Sequence, residues 1–99
     1  MEALNDVYHA AMEIETFCRS RRWSFCFIGG IAVQRWGEPR LTLDADLTLI
    51  TLFGSEEVFV DALLSRFTSR RSDAREFALI SRVLLLQSGR GVGLDVALG

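Results

Sequence analysis

The 99-residue chain contains no lysine; all 11 of its basic residues are arginine. It has one proline, one histidine and two cysteines, and no apolar run exceeds four residues, Val83-Leu84-Leu85-Leu86 being one such run. Each scarcity excludes something. Runs that short cannot cross a bilayer as a helix, which takes about 20 apolar residues. Cys18 and Cys26, with no CxxC and only His9 beside them, make neither a zinc site nor a disulfide framework. They read as buried small hydrophobes in a cytoplasmic protein with reduced thiols. The opening stretch MEALNDVYHAAMEIE is polar and acidic, unlike a secretory signal. Hydrophobic residues make up 49% and charged residues 24%, with no low-complexity run, which excludes a disordered chain. At this length the chain forms a single domain, residues 1–99, because a core rarely holds below about 50 residues without staples.

The charge is unevenly distributed. Residues 1–65 hold five arginines and ten acids, whereas residues 66–99 hold six arginines and three acids. A solvated surface accounts for this; so does an anion-facing second half, since arginine binds phosphate through a bidentate fork.

Apolar residues from Leu4 to about Arg21 follow helical spacing: Leu4, Val7, Tyr8, Ala11, Met12, Ile14, Phe17 and Cys18. Phe25 to Ile28 reads as a short buried strand ended by Gly29-Gly30, and Ile31 to Trp36 as a short helix broken at Gly37-Glu38-Pro39. Leu41 to Thr51 alternates with period 2, placing Leu43, Ala45, Leu47 and Leu49 on one face of a strand. Ser55 followed by Glu56 and Glu57 predicts a capped helix to about Phe67 that buries Val58, Phe59, Ala62, Leu63 and Phe67. Thr68 to Ser72 reads as a basic loop, and Asp73 as the cap of a short helix through Phe77 and Leu79. Arg82 to Gln87 and Val92 to Leu98 form strands joined by the turn Ser88 to Gly91, a hairpin. The order α-β-α-β-α-α-β-β predicts an α/β fold with a small mixed sheet flanked by helices.

Three features carry chemistry. Asp44 and Asp46 lie two apart in a strand, so their carboxylates share a face roughly 6.6 Å apart. Like charges that close need relief: solvent, an arginine partner, or a divalent cation such as Mg²⁺ or Mn²⁺. Gly29-Gly30, between a strand and a helix, is either a simple turn or a backbone cradle for an anion; it is neither a P-loop nor GxGxxG. Asp95 interrupts an apolar strand, and it either faces water from a sheet edge or is paired or liganded.

Phe27-Ile28-Gly29-Gly30-Ile31-Ala32-Val33, Trp36-Gly37-Glu38-Pro39-Arg40, Thr42, Asp44-Ala45-Asp46-Leu47, Asp73-Ala74-Arg75-Glu76-Phe77 and the late Asp95 together resemble the nucleotidyltransferase fold of the DNA polymerase β-like superfamily. The wording is most similar to abortive-infection (AbiEii-like) nucleotidyltransferases and their bacterial relatives. The resemblance covers about residues 25–98 and implies a metal-dependent transfer of a nucleotidyl group from NTP to a hydroxyl of RNA (tRNA included) or protein, as in a toxin held by an antitoxin. It implies that Asp44, Asp46 and Asp95 are catalytic and bind Mg²⁺ or Mn²⁺. It also implies that Gly29 and Gly30 hold the nucleotide phosphates. Arg40 and Thr42 match the family's R-x-T and are assigned to the nucleotide site, where Arg40 either pairs with an aspartate or touches phosphate. Relatives continue past the third aspartate. This sequence therefore reads as an N-terminal portion with the C-terminal part missing, or as a naturally short relative whose uncovered apolar face or sheet edge favours self-association. The alternative is a non-catalytic module of the same fold that acts in protein interaction.

Overall fold

The computed structural model describes residues 2–27, 33–34, 41–42 and 45–99, with the side chains of residues 2–5, 33–34 and 41–42 outside the description. In chain order the elements are α1 (Glu2–Ser20), β1 (Phe25–Phe27), β2 (Val33–Gln34), β3 (Leu41–Thr42), β4 (Ala45–Leu49), α2 (Glu56–Arg66), β5 (Thr68–Ser69), α3 (Ala74–Ser81), β6 (Val83–Gln87) and β7 (Gly93–Leu98). Five strands form a mixed sheet in the order β1-β4-β7-β6-β5, and β2 pairs with β3 in a separate two-stranded ribbon. β4 and β7 are parallel, while β1–β4, β7–β6 and β6–β5 are antiparallel. The parallel pair forces a crossover, and α2, β5, α3 and β6 lie between its two strands in sequence.

Period-2 patterning decides which sheet face is covered. Ala45, Leu47 and Leu49 of β4, Leu84 and Leu86 of β6, and Leu94, Val96 and Leu98 of β7 join one core with the helices. α1 contributes Ala10, Ala11, Ile14 and Cys18, α2 contributes Val60 and Leu63, and α3 contributes Ala74 and Ala78. The architecture is thus a two-layer α/β domain, the helices among the described residues burying their apolar sides on one face. An aromatic cluster closes one side of this core. The Phe17 ring lies 5.6 Å from Trp23 and 5.7 Å from Phe67, both edge-to-face, and Trp23 lies 4.7 Å from Phe59.

Two arginines end helices in the left-handed conformation that glycine usually supplies. At the end of α1, Arg22 has φ 60°, its N–H donates to the Arg19 carbonyl at 3.0 Å, and the Trp23 N–H reaches back to Cys18 at 3.0 Å. Arg82 ends α3 with φ 63°. It is pinned there by its N–H to Ala78 O at 2.8 Å, its Nε–H to Leu98 O at 3.0 Å, and a guanidinium–carboxylate pair with Glu56.

The sheet and the β6–β7 hairpin agree with expectation; its turn is held by the buried Ser88, whose Oγ accepts the Arg90 and Val92 N–H groups at 3.2 Å each. Several expectations are corrected. Val33–Gln34 is strand, paired with Leu41–Thr42, rather than part of a helix over 31–36. A window that short carries little helical periodicity, and β-branched Val33 suits a ladder. The strand expected over 41–51 divides: Leu41–Thr42 belongs to the ribbon and β4 ends at Leu49. Thr68–Ser69 pairs with β6 rather than forming loop. The order therefore gains three short strands and loses one helix.

Val58 is 69% exposed and Val60 takes its place in the core, because α2 presents a different face from the one its apolar spacing suggests. Tyr8 and Met12 on α1 also face out. Ser55 and Asp73 precede their helices without side-chain capping bonds; the Gly54 N–H goes to Glu56 and Asp73 takes Arg71 instead. Cys18 is buried as expected, but Cys26 is exposed, on the sheet face opposite the helices.

Candidate functional site

Residues in register across neighbouring strands project to the same side, so the face opposite the core follows from the pairing. Asp46 of β4 pairs with Asp95 of β7, and Asp95 with Leu85 of β6. Beside this row runs a second one: Cys26, Thr48, Ala97 and Val83. Asp46 and Asp95 come from opposite halves of the chain and stand side by side on adjacent parallel strands, whose axes lie about 4.8 Å apart. With Leu47, Val83 and Ala97 they line a depression of about 240 Å³.

Asp95 does not sit at an edge. β7 is flanked by β4 on one side and β6 on the other, so the edge-strand reading of this aspartate is corrected. Its carboxylate instead receives the guanidinium of Arg70, just beyond β5. The Arg70 N–H donates to Leu85 O at 3.0 Å, and Leu85 pairs with Asp95, so the arginine side chain reaches over β6 to the aspartate. Sequence alone left Arg70 as one of several arginines beside a possible anion. The available signal was its place in a basic stretch, which says nothing about distance to Asp95.

Of the other expected site residues, Gly29, Gly30, Arg40 and Asp44 lie outside the described residues. Thr42 lies in β3, in the separate ribbon, with its side chain undescribed. The structure thus brings two members of the expected set together and leaves the remainder unplaced relative to them. Among the described residues no group of three or more His, Cys, Asp or Glu side chains stands ready for a metal.

The remaining arginines of the second half are engaged elsewhere. Arg66 pairs with Glu13, Arg71 with Asp73, Arg75 with Asp61 and Glu57, and Arg90 with Asp6. Arg75 lowers the Asp61 carboxyl below its ordinary value, Arg71 does the same for Asp73, and a backbone hydrogen bond followed by Arg82 lowers Glu56. His9 is exposed beside Arg66 and Arg90, whose charges Glu13 and Asp6 already meet. Burial pushes the Cys18 thiol up to about 11. It belongs to the core and not to the open face.

Comparison with family models, curated proteins and solved structures finds no match to this chain. No helix among the described residues is long and apolar enough to cross a membrane.

Proposed function

We propose that the chain is a nucleotidyltransferase-fold domain that binds NTP with Mg²⁺ or Mn²⁺ and transfers a nucleotidyl group to a hydroxyl of RNA or protein. The observation that carries this reading is the register of Asp46 with Asp95 on the face that the helices leave open. Two oxygen-donor carboxylates on one depression suit a hard divalent cation, and Mg²⁺ is commonly held by one or two carboxylates together with substrate phosphates. On this reading Asp46 and Asp95 hold the metal, with Asp44 as the third carboxylate. A metal held there would supply charge neutralisation as the acceptor oxygen bonds to the α-phosphorus and the bond to the leaving pyrophosphate breaks. On the same reading Asp95 would accept or orient the proton of the acceptor hydroxyl, Gly29 and Gly30 would hold the phosphates, and Arg40 and Thr42 would complete the nucleotide site. Toxin activity restrained by an antitoxin, and self-association through the open face, extend the same reading.

A second reading, a non-catalytic interaction module, is favoured by one observation: Arg70 already meets Asp95. Calorimetric titration of each NTP, with and without Mg²⁺ or Mn²⁺, separates the two. The enzyme reading expects metal-dependent binding that is lost in Asp46→Asn and Asp44→Asn. Absence of binding, or binding indifferent to both substitutions, leaves the module.

A further inference from the structure

We propose that Arg70 is the resident cation of the Asp46–Asp95 site, neutralising Asp95 until a divalent cation displaces it, and that the released guanidinium then turns to the phosphates of the incoming nucleotide. This rests on the metal-site reading above.

Asp46 and Asp95 share one sheet face in register, and two carboxylates so placed repel unless a positive charge lies between or beside them. Arg70 supplies one, through its ion pair with Asp95. Its backbone is fixed independently of that pair, by the hydrogen bond to Leu85 O, so exchange of Asp95 for another partner leaves the β5–β6 pairing in place. The two side chains are 29% and 36% exposed. A pair that open contributes little to stability and is readily exchanged. A divalent cation on the carboxylates repels the guanidinium. The displaced arginine stays anchored beside the depression, where the phosphates of a metal–nucleotide complex arrive, and its fork of N–H donors matches phosphate oxygens. Among the described arginines of residues 66–99, Arg70 is the one paired with a carboxylate of this site; Arg66, Arg71, Arg75, Arg82 and Arg90 pair with acids away from it.

The two roles have opposite signatures in one variant. Calorimetry with Mn²⁺ alone should show Arg70→Gln binding the metal more tightly than wild type, by about fivefold, the competition expected of a partly exposed ion pair. With Mn²⁺ and NTP together, the same variant should bind nucleotide about tenfold more weakly. Arg70→Lys keeps the charge and should bind Mn²⁺ as wild type does. Damage to the fold would weaken both ligands together and would lower the melting temperature; in Arg70→Gln that melts as wild type does, equal or weaker Mn²⁺ binding overturns the proposal. Tighter Mn²⁺ binding with unchanged or absent nucleotide binding overturns its phosphate half. If Mn²⁺ binds wild type and Arg70→Gln equally, the metal site survives and Arg70 alone is excluded. If Mn²⁺ binds neither protein, the carboxylate site itself falls.

Discussion

On one side of β4 and β7, Ala45, Leu47, Leu49, Leu94, Val96 and Leu98 are at most 3% exposed; on the other, Asp46, Thr48, Asp95 and Ala97 are half-buried. The same backbone ladder serves both sides. The helical side is closed by apolar residues from α1, α2 and α3, and its energetics are those of close packing. The open side combines small and aliphatic residues with two in-register carboxylates and an arginine, an arrangement that packing does not require. The covered face therefore accounts for the fold, and the paired acids and their arginine lie on the face that the helices leave open.

The strongest test of this contrast compares two leucines. Leu47→Ala on the covered face should cost about 2–5 kcal/mol in chemical denaturation. Leu85→Ala on the open face should cost clearly less, because Leu85 is only half-buried. Equal losses would mean that something covers the open side.

The cysteines sharpen the same contrast. At neutral pH a thiol reagent should label Cys26 in the native protein, and Cys18 only after unfolding. The native fold holds the Cys18 thiol neutral up to about 11, against an ordinary value of 9.0. Its contribution is therefore complete below pH 9 and declines as pH rises toward 11, a loss on the order of 2 kcal/mol that Cys18→Ala should remove from the alkaline denaturation profile.

Arg82→Ala removes the Nε–H bond to Leu98 O that ties the end of α3 to β7, and should cost about 1 kcal/mol by thermal melting. Asp46→Asn should abolish Mn²⁺ binding in calorimetry; binding that persists in the variant would remove Asp46 from the metal site. The smallest effect concerns acid. Hydrogen bonds and arginine partners hold Glu56, Asp61 and Asp73 below their ordinary values. Their stabilisation is present above the unfolded carboxyl range and fades as pH falls through and below it. Because all three are solvent-screened, the slope of melting temperature against pH should flatten further in high salt.

Much of the covered face was legible in the residue pattern. The period-2 runs of β4, β6 and β7 and the spacing of Val7, Ala11, Ile14 and Cys18 point to the buried side directly, because burial acts on every second strand residue and every third or fourth helical one. Val33–Gln34 and Thr68–Ser69 are not legible as strands because a two-residue strand has no period; it exists only by virtue of its partner. Spacing alone does not separate Val58 from Val60, because α2 carries apolar residues on more than one side and only docking selects Val60. Asp46 and Asp95 are each conspicuous as acids in apolar strands, whereas nothing in the sequence separates Arg70 from Arg66, Arg71 and Arg75.

The α/β class, the covered face of the sheet and the acids set in apolar strands follow from local alternation of polar and apolar residues and are written in the chain itself. That β7 lies beside β4 instead of at an edge, that Asp95 stands in register with Asp46, and that Arg70 reaches Asp95 across β6 are set in the folded chain alone. Strand order and register depend on which distant segments bury one another's surface. No spacing along the chain records that choice.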